Sequence, residues 1–328
     1  MRRSGVVSLI LSVALTCPLP LGAQQATPPI VGFLTSGAKS SVNERWVAGF
    51  HRGLAESGYV EKQNLTIEYR WADDQYDRLP GLTAELVGLQ AGVIVAAGGP
   101  VSAIAARKVT STVPIVFTTI SDPVRSGLVA SINRPGGNVT GVAGLTSELD
   151  PKRMELLVQI KPNVQVIGAL VNPNRPGVDA NTKELQAAAQ AMGRQLVVER
   201  VGAADGLDAA FAKLAEQRID ALVVTADPFF NFNRARVIAL ANRHSFPAVY
   251  QWREFVEDGG MMSYGPSIAD AYQQSGVYAG RILKGAKPAD LPVVQPTRFE
   301  LAINQRAAKQ LGIDVPEQML ARADTVTD

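Results

Sequence analysis

Cysteine, histidine and aromatic residues are scarce in this 328-residue chain, and each scarcity closes off a class of chemistry. Cys17 is the only cysteine and falls in the apolar N-terminal stretch. Once that stretch is removed, neither a disulfide nor a thiol nucleophile remains. The two histidines, His51 in a helical pattern and His244 just before a strand, stand far apart without neighbouring ligand spacing, so no histidine-based metal site is expected. A serine hydrolase would have to recruit one of them, and nothing marks either. Ser263-Tyr264-Gly265-Pro266-Ser267 does not place a serine between the glycines of a nucleophile elbow. Walker and dinucleotide glycine spacings are also missing, so no nucleotide cofactor is expected. An excess of charge is lacking too. Of 32 basic residues, Arg2 and Arg3 lie in the N-terminal stretch, and the remainder balances the 30 acidic ones. A neutral chain offers no electrostatic case for nucleic acid or an anionic membrane. No apolar run beyond residue 23 is long enough to span a bilayer.

The N-terminus itself reads as an export signal. Arg2 and Arg3 precede a short apolar run over residues 6–15, and a Pro-broken stretch ends at Leu21-Gly22-Ala23. Cleavage after Ala23 and a periplasmic destination are expected. A lipid anchor on Cys17 is the minor reading, because Thr16 and Ala14 replace the residues a lipoprotein signal wants. An exported protein meets no ATP or NAD pool, which removes the usual ligands of α/β chains.

What remains is 46% hydrophobic and 19% charged, as in soluble globular proteins, and long enough for two domains. Short β-rich runs alternate with helical patterns. In the first array, strands are expected at 30–34, 65–69, 93–97 and 115–119, with helices at 43–57, 79–89 and 101–108. The pattern restarts after Asn138: an extended piece at 139–144, strands at 166–171, 196–201, 221–224 and 248–250, and helices at 152–160, 181–192, 207–216 and 234–243. Residues 261–264 are strand-like, 271–283 form a long helix, 292–304 are extended, and a last helix covers 305–311. Two βα arrays of four or five strands each imply parallel sheets. The expected fold is α/β, two doubly wound Rossmann-like lobes with a hinged cleft between them, and ligands at the carboxyl ends of the strands.

The residues at those ends are the candidate site. In the first array they include Ser36, Gly98-Gly99 before a helix start, and Thr119, Ser121 and Asp122 before Pro123. Backbone N–H groups near Gly99 can hold a small anion, or the glycines merely turn the chain. Asp122 can pair with a ligand ammonium or close an Asp-Pro turn on its own backbone. In the second array Asn172, Asp227, Tyr250, Glu254 and Tyr264 stand at corresponding places. Tyr250 and Tyr264 are expected to wall the cleft, and Phe229 and Phe230 to pack inside. Arg253-Glu254 faces either the ligand or solvent.

Several segments resemble a known family. Asp122-Pro123, the run Asn133-Arg134-Pro135-Gly136-Gly137-Asn138-Val139-Thr140-Gly141, Gly260-Met261-Met262-Ser263-Tyr264-Gly265 and the stretch from Arg281 to Pro292 (RILKGAKPADLP) are similar to ABC-transporter substrate-binding proteins of the tryptophan-binding type. Glu68-Tyr69-Arg70-Trp71-Ala72 and Tyr76-Asp77-Arg78-Leu79-Pro80 resemble its proteobacterial branch. The resemblance implies a periplasmic-binding-protein type I fold with three crossings between lobes. Residues 1–23 would be the signal peptide, 28–143 plus 264–292 the first lobe, and 144–263 plus 293–328 the second. It further implies a small organic solute, an aromatic or apolar amino acid or an aromatic acid, and an ABC permease as partner, with the binding protein itself a monomer and not an enzyme. Many members carry Thr-Pro where this chain has Gly99-Pro100, which removes a hydroxyl that could bond a carboxylate. The alternatives are a sensory module for a membrane signalling partner and a periplasmic hydrolase.

Overall fold

The first array runs β1 (Ile30–Thr35), α1 (Ser41–Glu56), β2 (Thr66–Trp71), α2 (Leu79–Gly88), β3 (Val93–Ala97), α3 (Pro100–Val109), β4 (Ile115–Thr119) and β5 (Val139–Ala143). All pairings are parallel, in the order β2-β1-β3-β4-β5. Every residue of β3 is buried, because helices cover both faces of a parallel sheet. These elements come from a computed structural model that describes residues 27–39, 41–119, 121–144 and 146–328, without the side chains of 41–44 and 147. The expected leader and Cys17 lie outside the described residues.

The second array comprises α4 (Asp150–Ile160), β6 (Val166–Val171), α5 (Val178–Ala191), β7 (Gln195–Arg200), α6 (Leu207–Glu216), β8 (Ala221–Val224), α7 (Pro228–Phe232), α8 (Arg234–Arg243), β9 (Ala248–Tyr250), α9 (Arg253–Glu257) and β10 (Met262–Gly265). The chain continues through α10 (Ile268–Leu283), β11 (Glu300–Asn304), α11 (Gln305–Gln310), α12 (Glu317–Leu320) and β12 (Thr325–Thr327). The second sheet has the order β12-β11-β10-β9-β8-β6-β7, with only β10 and β11 antiparallel among neighbours. It holds seven strands rather than four or five, because β11 and the three-residue β12 return to its edge.

After β10 the chain leaves the second sheet and lays α10 against the first. Ser267 starts that helix by accepting the Asp270 N–H on its hydroxyl at 3.2 Å. The α1 and α10 backbones touch. A Cβ on Gly53 would lie 1.9 Å from the Gln273 carbonyl oxygen, and one on Gly276 2.2 Å from the Phe50 oxygen. The chain then passes Val294, bridged in parallel to Val142, and re-enters the second sheet at β11. Three crossings result: after β5, after Gly265 and after Val294.

Arg153 of α4 ties two crossings together. It is fully buried, donating from Nε to the Tyr264 carbonyl at 2.7 Å and from Nη1 to the Thr146 carbonyl at 2.8 Å. Nη1 also meets the buried Asp150 carboxylate at 2.5 Å. No helix among the described residues is long and apolar enough to cross a membrane.

Candidate functional site

The carboxyl ends of the two sheets face each other, and an aromatic cluster joins them. Trp46 of α1 is 1% exposed. Its ring lies 5.7 Å from Tyr272 of α10 and, across the gap, 6.3 Å from Phe232 of α7 and 6.2 Å from Trp252. Two glycines allow the approach. A Cβ on Gly37 would stand 2.2 Å from the Phe232 ring, and one on Gly99 2.7 Å from Pro228 Cγ. Gly99 also has φ +95°, a conformation other residues rarely adopt.

Between these walls is a cleft whose floor in the first lobe is Gly98, Gly99, Thr118 and Thr119. Thr146 on one crossing, Ile268 near another and Asn231 of α7 complete it. The enclosed space is only about 40 Å³, so a ring enters only when the walls part. Thr118 Oγ1, Thr146 Oγ1 and Asn231 Oδ1 are buried there without a hydrogen bond. Unsatisfied buried polar atoms are costly, and a cluster of them in a cleft is what a polar ligand end would complete.

The expected site residues divide into four groups. Gly98, Gly99 and Thr119 line the aromatic cleft. Ser36 lies beneath them, its hydroxyl donating to the Gly98 carbonyl at 2.6 Å, so it supports the loop rather than facing a solute. Ser121 and Asp122 border a separate polar chamber of about 280 Å³, with Arg125, Glu148 and Asn181. Asp122 Oδ1 accepts the Val124 and Arg125 N–H groups at 2.7 and 3.2 Å, which is the turn alternative.

Asn172 and Asp227 form a buried network instead. Asn172 Nδ2 donates to Asp227 Oδ1 at 2.9 Å, the Phe229 N–H donates to the same oxygen at 2.8 Å, and Arg175 Nε stands 3.6 Å from Oδ2. Tyr250 does not wall the cleft: it is 1% exposed and stacked on Phe255 at 4.6 Å, in the core of the second lobe. Tyr264 lies against Phe299 at 6.2 Å, in β10 beside β11, and also misses the cleft. Glu254 lies beside the Trp46 side chain and near Arg234, and burial pushes its carboxyl up. Phe229 and Phe230 pack inside, as expected.

Trp46, Phe232, Asn231 and Thr146 were not singled out by the sequence reading. Nothing in the sequence marks Trp46 beyond its place in the helical pattern over 43–57, and α7 is five residues long, too short for periodicity to reveal. The histidines stand apart from the cleft. His51 Nε2 shares a 2.9 Å hydrogen bond with Tyr69 OH, and His244 stacks between Phe211 and Phe246.

A second contact across the gap is titratable. Asp74, after β2, is half-buried with Oδ1 unpaired, and Tyr76 OH accepts from Asn172 Nδ2 at 3.4 Å. Burial first, and then the Asp227 charge, hold Asp74 up at about 6; burial, opposed by Arg175, holds Asp227 up at about 6. Asp73 adds to the repulsion on Asp74 and is itself paired with Arg78. Both carboxyls therefore bind protons more tightly in the closed molecule than on an open chain. Closure and stability should fall as pH rises from about 4 to about 6 and level off above. We expect Asp74→Asn to flatten that fall in urea-unfolding midpoints at pH 5 and 7 and to be the more stable protein at pH 7. An unchanged difference between the two pH values would clear Asp74 of the effect.

Comparison with known proteins agrees with this geometry. The family model described as ABC transporter substrate binding protein matches residues 39–327. A tyrosine-binding protein of Clostridioides difficile is 27% identical over 263 residues, 80% of this chain and 75% of that protein. Among solved structures, a conserved domain protein from Vibrio cholerae superposes with a TM-score of 0.84 at 29% identity, covering 92% of this chain and all of that one. The ABC domain from Streptococcus pneumoniae in complex with L-Trp superposes at 0.81 with 25% identity, again covering 92% and 100%.

Proposed function

Because the chain belongs to the family of ABC transporter substrate-binding proteins, we propose that it is the extracytoplasmic receptor of an importer whose solute is a small aromatic molecule gripped between the lobes. The family is one of binding proteins, not of enzymes. This chain accordingly holds its solute without transforming it. It works in the periplasm as a monomer after loss of residues 1–23, and delivers to an ABC permease. The first lobe is built from about residue 28 to 143 plus the α10 segment, and the second from the remainder.

The observation that carries this reading is the ring cluster contributed by both lobes, centred on Trp46. A solute ring inserted among Trp46, Phe232 and Trp252 would gain contacts only when the lobes close on it. Differential contact of that kind moves the open–closed equilibrium, and the permease reads the closed shape. Aromatic pairs contribute roughly 0.5–1.5 kcal/mol each beyond area burial. The ion pairs at the rim, Arg45–Glu257 at 3.3 Å and Arg125–Glu184 at 3.5 Å, are exposed and contribute little.

A thermal-shift screen of aromatic acids, aromatic amino acids, sugars and metal ions tests the reading. A solute at about 100 times its Kd should stabilise by about 2.7 kcal/mol, a rise of several degrees in Tm. Trp46→Ala should abolish that rise while the fold persists. Stabilisation by sugars or metal ions alone would remove the aromatic assignment, and turnover of any bound compound would remove the receptor assignment.

A further inference from the structure

A second space of about 270 Å³ lies behind the crossings, and all three of them line it. Val142 and Gly144 come from the first, Pro266 and Ser267 from the second, and Val294 and Pro296 from the third. Gly144, Pro266, Ser267 and Ala271 line the aromatic cleft as well, so they form a partition with the cleft on one face and the rear space on the other. The first and third crossings are stitched together. The Ala143 N–H donates to the Val294 carbonyl and the Val294 N–H to the Gly141 carbonyl, both at 2.9 Å. Hinged opening widens the cleft side of such a partition and narrows the side behind it.

The rear space also carries charge from both sheets. Asp270 is on α10, packed on the first sheet, and Glu300 is on β11 of the second. Asp270 has no ion pair among the described residues. Arg298, the cation of the lining, is turned to Asp324 at 2.8 Å and meets Glu300 and Asp270 only at longer range. Glu300 has Arg253 at 3.8 Å, but that guanidinium is nearer Glu257, at 2.9 Å. Two under-compensated carboxylates therefore flank a space walled by Val142, Pro266, Val294 and Pro296. That combination is complementary to a cation with an apolar body.

We propose that the rear space is a second binding site, for a small aliphatic monocation, and that its occupant holds the molecule closed. The apolar body rests against the valines and prolines. The cationic end lies between Asp270 and Glu300 and answers like charges that belong to opposite sheets. Opening would squeeze the occupant, so it favours the closed state, and by linkage a solute that also favours closure is bound more tightly. The proposal needs only the hinged two-sheet frame, and so stands or falls separately from the aromatic reading.

Calorimetry with cyclohexylammonium chloride at pH 7, against sodium chloride at equal ionic strength, tests this; cyclohexanol and cyclohexanecarboxylate are the controls. The cation should bind once per chain, at least tenfold more tightly than either control. Asp270→Asn and Glu300→Gln should each weaken it about threefold, the scale of one exposed charge pair, and together about tenfold. Gly37→Leu separates closure from simple occupancy. A Cβ at residue 37 already lies 2.2 Å from the Phe232 ring across the cleft, so the larger side chain props the walls apart without touching the rear space. It should weaken the cation at least tenfold in a protein shown by circular dichroism to be folded, and the smaller Gly37→Ala should act in the same direction. Binding no tighter than the controls overturns the site. Binding unmoved by the Asp270 and Glu300 double variant overturns its location, and binding unmoved by both Gly37 variants overturns the closing role.

Discussion

Arg153→Leu should lower the unfolding free energy by about 3–5 kcal/mol, measured as a shift in urea midpoint at constant m-value. The guanidinium is sealed from water and its charge is answered by Asp150, itself 3% exposed. Removing it leaves that carboxylate buried with only the Arg175 charge to answer it. It also frees the carbonyls of Thr146 and Tyr264, which accept from Arg153 on two different crossings. A second variant separates charge from packing. Arg153→Leu combined with Asp150→Leu removes both charges, and should recover part of the loss, because a well-packed apolar pair can replace a buried ion pair at little cost. If the single variant lost less than about 1 kcal/mol, the buried pair would not be holding the crossings.

Gly53→Ala is the second large effect. Alanine normally favours a helix interior over glycine by up to about 1 kcal/mol. At position 53 the added methyl carbon would lie 1.9 Å from the Gln273 carbonyl oxygen, which belongs to the α10 backbone and cannot swing aside. The two helices must separate, and overpacking of this kind costs about 1–3 kcal/mol or more. The same displacement carries Tyr272 and Ile268 away from the cleft, so solute binding should weaken along with stability. Gly81→Ala is the control. That glycine is in α2 with open space where its Cβ would go, so the same exchange should stabilise by a few tenths to about 1 kcal/mol. Equal effects at the two positions would mean that helix propensity, not contact between α1 and α10, governs residue 53.

Much of the architecture was legible because the elements are long and regular. Strands 166–171, 221–224 and 248–250 and helices 207–216 and 234–243 match the sequence reading residue for residue. Short pieces were not: α7, α9, α12 and β12 are three to five residues each, below the length at which a period declares itself. The site was legible at one level only. Strand ends bring Gly98, Gly99 and Thr119 to the cleft, since topology alone places them there. Which way a ring points was not encoded in position. Tyr250 ends β9 just as Thr119 ends β4, yet its ring turns inward onto Phe255, while Trp252, two residues on, reaches the gap. Asp122 illustrates the same limit, because a turn and a ligand contact make identical demands on the residue type.

The position of α10 has a consequence for how the molecule can be assembled. Trp46, Phe50 and Leu54 of α1 are covered in part by a helix encoded more than two hundred residues later. During synthesis, therefore, the N-terminal half cannot complete its core by itself, and contacts this remote in sequence form slowly. A truncated chain ending near residue 260 would expose an oily helix face instead of leaving one finished lobe. The two halves are separate in space but not in inheritance: neither can be excised, donated or exchanged as a continuous stretch.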